Sequence, residues 1–83
     1  MNMGDQAVKN KIIELVANLA MIEEDDFELT DTFSEIGLDS IDICTLVADI
    51  EIEYDIFLDQ DIDLDNMGDI TVEKLIEITL LRM

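Results

Sequence analysis

The sequence predicts an all-α fold of three substantial helices and a short one, with a long loop between the first two. Three observations predict it. Apolar residues recur at helical spacing along three stretches, no run alternates apolar and polar long enough to make a strand, and no Pro and only three Gly interrupt the chain. At 83 residues one domain is the ceiling, with a radius of gyration of roughly 12 Å and about 60–65% of the extended surface buried.

From Val8 the apolar residues fall at Val8, Ile12, Leu15, Val16 and Leu19, one stripe of a helix whose Lys9, Asn10, Lys11 and Glu14 face water. Asp5 is its candidate cap. Residues 21–38 lose that period and carry Glu23, Glu24, Asp25 and Asp26, yet Phe27, Leu29, Phe33, Ile36 and Leu38 recur through them. This reads as a long loop held down by apolar anchors, with a short helical turn before Gly37. The next helix starts after Leu38-Asp39, with Asp39 as N-cap and Asp42 three residues on, both placed to meet unpaired amides. Ile43, Leu46, Val47, Ile50 and Tyr54 form its buried stripe. A short element over 60–66 offers Ile62 and Leu64 to the core. The last helix begins near Thr71, capped by Thr71 or Asp69, and buries Val72, Leu75, Ile76 and Thr79 or Leu80.

Composition narrows the function classes. With 22 acidic side chains against 4 basic ones, the formal charge is −18, yet 49% of residues are hydrophobic, too many and too regularly spaced for a disordered acidic tail. Lys9, Lys11, Lys74 and Arg82 are scattered, which argues against binding nucleic acid or an anionic membrane. A field this negative attracts basic proteins and speeds encounter with them. The absence of His removes imidazole catalysis and His-ligated metal sites. A lone Cys44 makes no internal disulfide, and no segment reads as a signal peptide or membrane span, so the expected compartment is the cytoplasm.

Ser40 stands where the long loop meets the second long helix, after a Gly-Leu-Asp turn, so its hydroxyl is expected at an exposed helix N-terminus. A phosphate there meets free backbone N–H groups and the positive end of the dipole. Asp39 and Asp42 oppose it by like-charge repulsion, and the dipole contributes only about 0.3–1 kcal/mol at an exposed site. Any phosphate here has to be held covalently, and the two carboxylates then suit a basic enzyme that installs it.

The segment Phe33-Ser34-Glu35-Ile36-Gly37-Leu38-Asp39-Ser40-Ile41-Asp42, followed by an apolar and acidic helix ending Ile50-Glu51-Ile52-Glu53-Tyr54-Asp55, resembles the acyl carrier protein family over nearly the whole chain. The resemblance implies a four-helix bundle whose third helix is short, the whole of 1–83 forming one carrier domain. It implies that Ser40 bears a 4′-phosphopantetheine arm holding acyl groups as thioesters for fatty-acid, polyketide or related lipid biosynthesis. The chain itself would be no enzyme. Its expected partners are a phosphopantetheinyl transferase and acyl-transfer or synthase enzymes with basic patches, met as a monomer. Helix geometry nominates Ser40, Ile41, Cys44, Thr45, Ala48, Asp49 and Ile52 as lying off the buried stripe, with Asp39, Asp42, Glu53 and Asp55 supplying flanking charge. Ile41 replaces the family's commoner Leu. Thr45 and Ile52 stand where fatty-acid carriers usually have Glu, Ala48 where many have Met, and Asp59 near a usual Pro. These departures leave a specialised acyl, polyketide or aminoacyl pathway as open as fatty-acid synthesis.

Rival patterns are weaker. Asp59, Asp61, Asp63 and Asp65 alternate like a calcium loop, but from Asp59 the sixth position is Leu64 and the twelfth Ile70, and from Asp61 they are Asn66 and Val72, where such a loop needs Gly and Glu. No dedicated metal site is expected, only weak, unselective cation binding. Cys44 lacks a base to activate it, and the Met residues read as packing filler. An acidic interaction module that fills a basic groove explains the charge equally well but gives no reason for Gly37-Leu38-Asp39-Ser40 at a helix entrance.

Overall fold

The computed structural model describes residues 3–58 and 68–83. Among these residues four helices run in order: α1 Met3–Ala20, α2 Phe33–Ile36, α3 Ser40–Tyr54 and α4 Val72–Arg82. The all-α expectation holds, with no strand among the described residues. The short helical turn before Gly37 is α2, within the long loop; the expected short element at 60–66 lies outside the described residues.

α1 packs against both α3 and α4. It buries Val8, Ile12, Val16 and Ala17, while Leu15 and Leu19 are half-buried beside them. Asp5 is not the cap. The helix already runs from Met3, so Asp5 sits inside the first turn, where its charge acts on the dipole. Lys9 and Lys11 are half-buried rather than fully in water, as long amphipathic side chains commonly are. Lys11 Nζ reaches Glu53 Oε1 at 3.6 Å and ties α1 to the end of α3.

α1 ends in a Schellman turn. Ile22 N–H donates to the Ala17 carbonyl, and Met21 N–H to that of Asn18, with Met21 held at φ 61°. Glycine is the usual residue there because a Cβ is crowded in that conformation. Met21 is exposed and has no core role. Met21→Gly is expected to raise stability by about 0.5–1 kcal/mol, or roughly 4 °C in melting temperature; an unchanged or lower thermal midpoint would refute the strain.

The loop is anchored by Phe27, Phe33 and Leu38, all buried. Its carboxylates also serve local turns: Asp26 accepts from Glu23 N–H at 3.0 Å and Asp31 from Glu28 N–H at 2.8 Å. α2 is enclosed at both ends. Thr32 and Glu35 form a capping box, and Gly37 at φ 100° closes the helix while its N–H and that of Leu38 return to the Phe33 carbonyl.

Loop and α4 are joined by backbone. Thr32 and Thr71, the N-caps of α2 and α4, form an isolated antiparallel bridge. Phe33 N–H donates to Ile70 O, Val72 N–H to Asp31 O and Glu73 N–H to Leu29 O at 3.2, 3.1 and 2.9 Å. The last two bonds satisfy amides that a helix N-terminus otherwise leaves free. Thr71 therefore caps α4, and Asp69 does not. α4 buries Val72, Leu75, Ile76, Ile78 and Thr79, with Leu80 half-buried; Thr79 Oγ1 donates to the Leu75 carbonyl at 2.8 Å, which makes its full burial tolerable.

Candidate functional site

The turn Gly37-Leu38-Asp39 delivers the chain into α3. Gly37 supplies the positive φ, Leu38 is buried as an anchor, and Asp39 adopts the extended conformation of an N-cap. Asp42 N–H donates to Asp39 Oδ1 at 2.9 Å, and Asp39 N–H donates to Asp42 Oδ2 at 3.4 Å, a complete capping box. Ser40 is the first residue of α3 and is exposed; its hydroxyl makes no hydrogen bond among the described residues. A rigid turn thus holds a free primary alcohol at a helix entrance, reachable from outside. That suits covalent attachment of a phosphate-linked group.

The buried stripe of α3 is Ile43, Leu46, Val47 and Ile50, with Tyr54 half-buried. Burial, and next the Glu53 charge, push the Tyr54 hydroxyl above its ordinary pKa, with Lys11 opposing. On the other side Ile41, Thr45, Ala48 and Ile52 line up at helical spacing and are exposed, Ile41 by 74% and Ile52 by 80%. Cys44 and Asp49 flank this ridge and are exposed too. The structure therefore places every sequence-predicted surface residue outside the core, but it divides their charges. Asp39 and half-buried Asp42 are engaged in the capping box, and Glu53 with Lys11. Asp49 and Asp55 remain turned to solvent, Asp55 as the αL cap of α3.

Sequence reasoning missed Phe57. It lies just past α3 and is 81% exposed, while its neighbours Ile56 and Leu58 turn inward. The alternation in Ile56-Phe57-Leu58 was the available signal, obscured because all three are apolar. Glu51 fixes this segment: its carbonyl accepts from Ile56 N–H at 3.2 Å and its Oε2 from Leu58 N–H at 2.8 Å.

Away from the serine, a cavity of about 320 Å³ is lined by Lys9, Leu29, Glu73, Ile76, Glu77 and Leu80, none of them from α3. Among the described residues no group of three His, Cys, Asp or Glu side chains is arranged to hold a metal ion, and Asp59 to Asp65 lie outside them. Unselective cation binding is expected from charge alone, since crowding 22 carboxylates onto a small domain makes the folded state repel itself. Millimolar magnesium or calcium is expected to raise the melting temperature by about 5 °C, equivalent to roughly 1 kcal/mol. A thermal midpoint that does not move over that range speaks against it.

Among the described residues no helix is long and apolar enough to cross a membrane. No solved structure gives a significant match to the chain. The acyl carrier protein of Lactococcus lactis subsp. cremoris (strain MG1363) is 28% identical over 64 residues, covering 77% of this chain and 88% of that protein. The acyl carrier protein of Streptococcus thermophilus (strain CNRZ 1066) is likewise 28% identical over 64 residues, covering 77% and 86%. The family model described as "Phosphopantetheine attachment site" matches residues 10–78, a span that contains the α2 turn, Ser40, all of α3 and most of α4. Its fold, its exposed serine at the helix entrance and this match agree: the chain belongs to the acyl carrier protein family, whose carrier domains hold 4′-phosphopantetheine.

Proposed function

We propose that Ser40 is the attachment residue and that residues 1–83 act as one carrier domain. The observation that carries this is the exposed Ser40 hydroxyl, without a hydrogen bond among the described residues, held by the Gly37-Leu38-Asp39 turn. Loading joins Ser40 Oγ to the phosphorus of the pantetheine phosphate of coenzyme A. The hydroxyl proton passes to a base on the transferase, and the phosphoanhydride bond breaks to release the nucleotide. When attached, 4′-phosphopantetheine supplies a terminal thiol on a flexible linker, on which an acyl group is held as a thioester.

The residues of this chain present rather than react. The N-terminus of α3 would offer amides and the positive end of its dipole to an attached phosphate, and the acidic surface draws in basic enzymes. Asp39, Ile41, Asp42, Cys44, Thr45, Ala48, Asp49, Ile52 and Glu53 form the docking face for the transferase and for acyl-transfer or synthase enzymes. Weak, steered docking suits a carrier that visits several active sites in turn. No chemistry of its own is assigned to the domain, which works as a cytoplasmic monomer in fatty-acid or related polyketide and specialised lipid synthesis, or in an aminoacyl pathway.

Intact-mass measurement after incubation with a phosphopantetheinyl transferase and coenzyme A tests the reading. The expected result is the addition of one phosphopantetheine, mapped by fragmentation to Ser40. A chain that stays at its unmodified mass is instead the acidic interaction module.

A further inference from the structure

An 81% exposed phenylalanine in a fixed frame calls for a reason. Phe57 is not a loose end: Leu58 beside it is fully buried, and the Glu51 carbonyl and carboxylate hold the amides of Ile56 and Leu58. The backbone on both sides is fastened inward, and the aromatic ring is left in water. Ile52, 80% exposed, stands near the same end of α3. Between there and the serine, the ridge Ile41, Thr45, Ala48, Ile52 carries no charge.

We propose that Phe57, with Ile52, is a second docking point for the transferase that loads Ser40, filling an apolar socket rimmed by Lys or Arg. This rests on the reading of Ser40 as the attachment residue. The transferase is the occupant because it alone brings the serine oxygen itself among its reactants, so its footprint includes the start of α3. Enzymes that act on the cargo share the face from Asp39 to Glu53, but they react at the far end of the arm and so have no need to cover both ends of α3 at once. The 15 residues of α3 span about 22 Å, and a standard interface of about 800 Å² per partner is roughly 30 Å across. One footprint therefore covers both ends of the helix. Exposed Asp55 and Asp49, together with the formal charge of −18, fix the sign of the socket's rim. Aromatic side chains seated in such sockets are the residues that dominate interface energy.

The test is the steady-state loading rate of the full chain against carrier concentration, with a broad-specificity phosphopantetheinyl transferase and coenzyme A. Phe57→Ala is expected to raise KM about tenfold and leave kcat unchanged, since Phe57 is far from the reacting oxygen. Phe57→Lys, which meets the basic rim with like charge, should raise KM further. Leu81→Ala removes an equally exposed apolar residue of α4 and should leave both constants at their original values. Thermal melts of the Phe57 variants are expected to match the parent. An unchanged KM in Phe57→Ala overturns the proposal, as does a matching rise in Leu81→Ala or a fall in kcat alone. If sedimentation shows that Phe57→Ala changes self-association with KM unaltered, the occupant is a second copy and the proposal is likewise overturned. Failure of the parent chain to gain any mass overturns the attachment reading itself, and this inference with it.

Discussion

Ser40→Ala is expected to abolish attachment of phosphopantetheine completely while leaving the fold intact. The two halves of that expectation have separate physical grounds. Loading needs a nucleophilic oxygen at the helix entrance, and no other hydroxyl takes its place. Ser34 is exposed on α2 but belongs to a different turn, and Thr45 Oγ1 donates to the Ile41 carbonyl at 3.1 Å. Stability should be untouched because the Ser40 hydroxyl makes no hydrogen bond among the described residues and the N-cap work is done by Asp39. Alanine is, if anything, the better helix former. Circular dichroism melts superimposable on the parent, together with an unchanged mass after transferase treatment, is the expected pair of results. Asp39→Ala is the informative contrast: it should lose about 1 kcal/mol of stability, because it removes the acceptor for Asp42 N–H while keeping the alcohol.

Phe33→Ala is expected to do the reverse, leaving the alcohol in place and removing the structure that presents it. Phe33 is fully buried and is the largest side chain so enclosed. Its truncation should cost about 3–5 kcal/mol, against a total of about 4–12 kcal/mol for a domain of this length. The variant should therefore be largely unfolded at physiological temperature, or melt tens of degrees lower. Its backbone makes the effect reach the site, since the Phe33 carbonyl receives the Gly37 and Leu38 amides of the turn that leads to Ser40. A cooperative melt within a few degrees of the parent would show that the core closes over the gap.

The contrast between these residues explains what the sequence made legible. α3 and its entrance could be read in full, because Asp39 and Asp42 sit at cap spacing and Ile43, Leu46, Val47 and Ile50 keep helical period in a strongly apolar run. The serine proposed for attachment came from the same local pattern. α2 was legible only as a turn before Gly37, although Thr32 and Glu35 stand at capping-box spacing, because four residues are too few to show a period. Asp5 misled as a cap because propensity alone does not say at which residue a helix begins. Thr71 and Asp69 could not be separated by sequence, since the choice depends on Leu29 and Asp31, some 40 residues away, whose carbonyls take the amides of Glu73 and Val72. Phe57 was invisible for a related reason. Its exposure goes with Glu51 holding Leu58, a contact between side chain and backbone that an alternation hidden among three apolar residues does not reveal.

The bridge between Thr32 and Thr71 also sets an order of events during translation. On the ribosome, the Phe33 amide and the Leu29 and Asp31 carbonyls have no mates until residues 70–73 have been synthesised. The scaffold that steadies the serine's turn is therefore a late product of the nascent chain.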